Sequence, residues 1–101
     1  MINYDISLTV NSREVEVTGF PKDFLTRTLI GAASSLKGVD EVASLELSLK
    51  FGKVKMSVSG TPVPLSQFPN LIIARTFTGM VSTLKGVEGE VVSLDIHLKS
   101  I

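Results

Sequence analysis

The sequence predicts an α+β domain built from two tandem ββαβ units, with a mainly antiparallel six-stranded sheet and two helices on one face about a pseudo-twofold axis. Three observations predict it. Residues 6–41 align with 54–89 at an offset of 48, and 42–50 with 91–99 at 49, with 17 identities among 45 pairs. Each unit brackets one helical stretch between segments of period-2 apolar alternation. The 101 residues suffice for one compact core and not for two independent ones. The chain is therefore read as a single domain, 1–101, with repeat one at about 1–50 and repeat two at about 51–101.

Ile2, Tyr4, Ile6, Leu8 and Val10 alternate with polar residues, the pattern of a strand with one buried face. Glu14 to Val17 follows as a short second strand after the turn residues Asn11-Ser12-Arg13; in the second copy Ser59-Gly60-Thr61-Pro62 supply the turn. Pro62 and Pro64 lack N–H donors, so that short strand is expected at a sheet edge or a bulge.

The shared Phe-Pro pairs, Phe20-Pro21 and Phe68-Pro69, introduce helices expected over about 22–37 and 70–85, with proline harmless near the first turn. The repeated run Leu36-Lys37-Gly38-Val39, matched by Leu84-Lys85-Gly86-Val87, reads as a C-terminal cap with a left-handed glycine. Val42 to Lys50 and Val91 to Lys99 alternate again as third strands, with Leu45, Leu47, Leu49 and Leu94, Ile96, Leu98 inward.

Leu25, Leu29, Ala32, Ala33 and Leu36 share one helical face, as do Ile73, Phe77, Met80, Val81 and Leu84, and these stripes are expected on the sheet. Beside them run small residues, Thr28, Gly31, Ser35 and Thr76, Gly79, Thr83. A glycine inside a helix costs about 1 kcal/mol against alanine. Its retention in both copies predicts antiparallel helices in close contact, with Gly31 near Gly79, the alternative being that each glycine makes room for the sheet; on the first reading Gly31→Leu overpacks the contact.

Few residues invite chemistry. Arg27 and Arg75 are kept in both copies near Ser34 and Ser82; an inter-repeat or intersubunit salt bridge is the favoured reading, and a twofold pair of guanidinium groups also suits a small anion such as a carboxylate or phosphate. Asp23 supplies an i,i+4 partner for Arg27, but Leu71 stands at the equivalent position before Arg75. Ser93, Asp95 and His97 alternate along one strand about 6.5–7 Å apart, too far for a nucleophile and its base. Asp40, Glu41, Glu88 and Glu90 cluster in the helix-to-strand loops, where carboxylates can hold a divalent ion but more commonly only face solvent; with one histidine and no cysteine no metal site is assigned, and no cofactor fingerprint or catalytic residue is assigned either.

Ten basic residues balance ten acidic ones, and six aromatics are mostly placed at core or helix-start positions. Lys50, Lys53 and Lys55 form one small basic cluster, which makes a weak nucleic-acid binder the third reading. The absence of cysteine, signal-peptide pattern or long apolar run leads to the expectation of a soluble, cytoplasmic protein with no membrane association. The start of the second helix, Leu71-Ile72-Ile73-Ala74, is apolar on every side, and a mean hydropathy of +0.35 fits a covered surface. Leu71 and Ile72 are thus expected at an interface, most simply in a twofold homodimer. The favoured reading is a non-enzymatic, self-associating or partner-binding accessory module; a small-anion or metabolite binder using the arginines is second.

The stretch Val63-Pro64-Leu65-Ser66-Gln67-Phe68, followed by Thr78-Gly79-Met80-Val81-Ser82-Thr83-Leu84-Lys85-Gly86-Val87, resembles small uncharacterised prokaryotic proteins with one ββαβ unit. Their pattern is V-x-L-x-x-F, a helix holding G-M-V-x-x-L-K-G-V, an acidic loop and an alternating strand. By this resemblance the chain looks like a duplicated version. Copy one departs from it with Ala32-Ala33. The resemblance implies a fold and carries no activity or site residue with it.

Overall fold

The computed structural model describes residues 3–36, 38–39 and 41–101; Met1, Ile2, Lys37 and Asp40, which the sequence reading used in the first strand, the first cap and an acidic loop, lie outside the described residues. The elements are β1 (Tyr4–Val10), β2 (Arg13–Val15), α1 (Gly19–Ser34), β3 (Ser44–Lys50), β4 (Lys53–Val58), β5 (Thr61–Val63), α2 (Gln67–Ser82) and β6 (Ser93–Ser100). The sheet runs β2-β1-β6-β3-β4-β5, with every pair antiparallel.

This order exchanges strands between the repeats. β3, from repeat one, pairs with β4 of repeat two, while β6 of repeat two pairs with β1 of repeat one. The two third strands meet at the centre, where Leu47 lies opposite Ile96, its own repeat mate. The pseudo-twofold axis passes between those two residues. It relates the register pair by pair: Ile6 faces Leu98 as Val54 faces Leu49, and Leu8 faces Ile96 as Met56 faces Leu47.

Three hairpins turn on two residues each. Asn11-Ser12, Phe51-Gly52 and Ser59-Gly60 all have positive φ, the backbone of a type I′ turn whose twist matches the flanking strands. Asparagine and glycine take that conformation readily; phenylalanine does not. Phe51 sits at φ 48° with 83% of its surface exposed, so Phe51→Asn should raise the unfolding free energy by about 1 kcal/mol, read by urea denaturation. The short strands β2 and β5 end the sheet, and Pro62 lies on edge strand β5 opposite Ser57 as its missing donor requires.

Both helices lie on one face. Leu8, Val10, Leu45, Leu47, Leu49, Val54, Met56, Val58, Leu94, Ile96 and Leu98 are buried there beneath Leu25, Leu29, Ala33 and Ile73, Phe77, Val81. Alternate residues on the other face, including Asp5, Ser7, Glu46, Lys55, His97 and Lys99, are exposed. Thr26 is buried where its mate is Ala74, and its hydroxyl has no hydrogen-bond partner.

The helices begin and end about three residues earlier than the sequence reading placed them. Pro21 and Pro69 occupy the third helical position, still inside the first turn where an N–H has no helical acceptor. The helices stop at Ser34 and Ser82, so neither Gly38 nor the run Lys85-Gly86-Val87 caps them. In the second copy it forms a separate turn: Gly86 does take positive φ, 88°, but it closes a bond from Val87 N–H to the Leu84 carbonyl at 3.2 Å. Val39 and Val87 fold back against the core as expected.

Candidate functional site

The helix layer leaves two grooves between α1 and α2. The first, about 710 Å³, is bounded by Phe20, Pro21 and Phe24 at the start of α1 and by Met80, Thr83 and Leu84 at the end of α2. The second, about 310 Å³, is bounded by Phe68, Pro69 and Ile72 at the start of α2 and by Ala32, Ser35 and Leu36 at the end of α1. These sets are repeat mates: Phe20/Phe68, Pro21/Pro69, Phe24/Ile72, Met80/Ala32, Thr83/Ser35 and Leu84/Leu36. The start of each helix thus faces the end of the other, which fixes the antiparallel arrangement.

The rims of these grooves are apolar and uncovered. Phe20 is 76% exposed, Phe68 68%, Phe24 52% and Ile72 50%, although a buried aromatic or large aliphatic side chain is worth about 1.5–3 kcal/mol. Phe20 and Phe24, one helical turn apart, stack on each other with ring centroids 5.6 Å apart. They contact one another on the side of α1 away from the sheet. Leu71 is also exposed, as the all-round apolar start of α2 required.

The expected contact between Gly31 and Gly79 is absent. Both glycines are exposed, and a Cβ built on either meets no atom within 4 Å. The helices are separated by grooves where the sequence reading placed a close backbone crossing. The consequence reverses: Gly31→Ala adds no clash and removes the helical glycine penalty, so it should stabilise by about 1 kcal/mol in urea unfolding at low protein concentration.

Arg27 and Arg75 are exposed on the helices and line neither groove. Ser34 and Ser82 are exposed at the helix ends, where Ser82 Oγ donates to the Gly79 carbonyl at 2.7 Å. Asp23 is the single acidic residue within the two helices. On the open sheet face His97 lies in register with Ser7 and Glu46, and Asp95 with Thr9 and Ser48. Among the described residues no three His, Asp or Glu side chains converge as a metal-ligand set, and no helix is long and apolar enough to cross a membrane. Lys50 pairs with Lys53 across the β3–β4 turn, and Lys55 projects from the same polar face.

A second set of residues joins the repeats. Asn11, at φ 49°, accepts from the Val92 and Ser93 N–H groups at 2.9 and 3.1 Å and donates to the Glu90 carbonyl at 2.9 Å. Its mate Ser59, at φ 50°, accepts from Ala43 N–H at 3.0 Å and donates to the Glu41 carbonyl at 3.1 Å. Each hairpin tip therefore clasps the segment leading into the other repeat's third strand. Asn70 adds a clamp without a mate, bonding Val54 N–H and the Gly52 carbonyl at 2.8 and 2.9 Å; Lys22 occupies its position in α1. None of these was singled out from the sequence beyond the turn chemistry of Asn11 and Ser59.

No protein-family model, curated protein or solved structure matches this chain. The functional reading therefore rests on the surface itself.

Proposed function

We propose that this protein is a non-enzymatic, partner-binding accessory module that works through the outer face of its helix layer. The observation that carries this reading is the pair of repeat-related grooves whose aromatic and aliphatic rims lie uncovered. Large contiguous apolar surfaces mark interaction sites, and scattered single exposures do not. Here the exposed Phe20, Phe24, Phe68, Leu71 and Ile72 all belong to one layer. Among the described residues the opposite sheet face, with alternating Ser, Thr, Lys, Asp and Glu, has no such concentration.

The exposed residues also match an interface in kind. Aromatics and arginine are enriched at protein interfaces, while lysine and the acids are depleted. The helices expose phenylalanines, Arg27 and Arg75 with a single acid, Asp23. This supports interface roles for the two arginines over a concave anion site, since neither lines a groove. The test is photo-crosslinking in cells producing the protein, with a photoreactive phenylalanine analogue at position 24 or at position 48 on the sheet face. An adduct from position 24 and none from 48 is expected; adducts from 48 alone, or from neither, would sink the helix-layer reading.

A further inference from the structure

We infer that the occupant of the helix layer is a second copy of this chain, packed helix layer against helix layer. This rests on the interface reading above and names its partner. A compact monomer of 10.8 kDa exposes about 5,500 Å². This chain exposes 6714 Å², roughly 1,200 Å² more than that expectation, and a standard interface removes about 800 Å² from each partner. The surplus is therefore large enough to supply one whole interface. The protein is a slab of extents 35 × 33 × 17 Å, so a broad face is the place where that much area lies.

Self-complementarity selects a second copy over an unrelated partner. The internal pseudo-twofold places on one face two ridges, Phe20 with Phe24 and Phe68 with Ile72, and two grooves beside them. A copy turned over about an axis in the plane of that face presents the same patch of ridges and grooves, as an isologous contact demands. The exposed glycines, Gly31 and Gly79, carry no side chain to hold the layers apart. Arg27 and Arg75 then find aromatic faces of the opposing copy, where a guanidinium stacks favourably. A net charge of zero, ten basic against ten acidic residues, leaves no global repulsion between copies.

The experiment is sedimentation equilibrium on the full chain, with Phe24→Glu/Ile72→Glu, one substitution per groove rim, and Ser48→Glu on the sheet face as the control. At about 100 µM, well above a micromolar dissociation constant, the wild type should sediment as a dimer. The double variant should weaken association by at least about 1,000-fold, since each dimer carries both substitutions twice, and Ser48→Glu should leave it unchanged. Both substituted rim residues are at least half exposed, and an unchanged circular dichroism spectrum certifies the fold. A wild-type monomer overturns the second-copy proposal, as does a dimer indifferent to the rim variant. If that monomer still forms an adduct with a different protein from position 24, the helix layer stands as an interface with another occupant. A monomer without any adduct overturns both readings.

Discussion

Separated between Phe51 and Gly52, residues 1–51 and 52–101 are each expected to lack stable sheet structure alone and to recover it when mixed one to one. The reason is the strand exchange. In the first fragment β3 loses both neighbours, β4 and β6, because both belong to the other half. Leu45, Leu47 and Leu49, buried to 3% exposure or less, lose the strands that flank them. What is left beside α1 is the two-stranded β1–β2 hairpin, and isolated hairpins are marginal at best. In the second fragment β6 loses β1 and β3, with the same effect on Leu94, Ile96 and Leu98. Mixing restores every ladder, and stability then depends on concentration because folding has become association. Circular dichroism and backbone amide spectra of the separate and mixed fragments provide the measurement. A fragment that folds stably as a monomer would refute the exchanged pairing.

That exchange was not legible in the sequence, although the strands were. Alternation along Leu45-Glu46-Leu47-Ser48-Leu49 states which side chains point inward, and it says nothing of which strand lies alongside. The duplication predicted a pseudo-twofold, but units packed side by side and units with exchanged third strands both satisfy the same repeat. The helix limits moved for a local reason: Pro21 and Pro69 are tolerated anywhere in the first turn, so they locate a helix start only to within a turn. Gly38 and Gly86 do have the left-handed backbone that the repeated Lys-Gly-Val required, one turn beyond the helix ends.

The site was legible in part. Leu71 and Ile72 stood out because the start of α2 is apolar on all sides, and both are exposed. Phe20, Phe24 and Phe68 were missed because they were noted only as residues at the helix starts, with no surface role given to them. Helical spacing held the signal: Phe20 and Phe24 are four residues apart on the face opposite Leu25 and Leu29. The glycine reading failed for the converse reason. A small residue marks the lack of a side chain, and only tertiary structure shows whether a neighbour or solvent fills the space.

Asn11→Ala is expected to destabilise the protein by about 4 kcal/mol, more than the equivalent Ser59→Ala. Asn11 makes three side-chain bonds to the segment from Glu90 to Ser93, and each net hydrogen bond is worth about 1 kcal/mol. Alanine also lacks the local side-chain bonding that eases a left-handed backbone, here φ 49°, which adds about 1 kcal/mol. Ser59 makes two such bonds and already adopts φ 50° without the asparagine preference, so its loss should be nearer 2 kcal/mol. Asn11 holds the segment leading into β6, and β6 is the strand repeat two lends to repeat one; its loss loosens the joint between halves. Urea unfolding of both variants measures the order. Amide hydrogen exchange adds the location, since protection in Asn11→Ala should fall first at Val92 and Ser93, whose N–H groups lose their acceptor. Equal destabilisation by the two variants, with unchanged exchange at Val92, would mean that the hairpin tips are ordinary turns and that the repeats are joined by their strands alone.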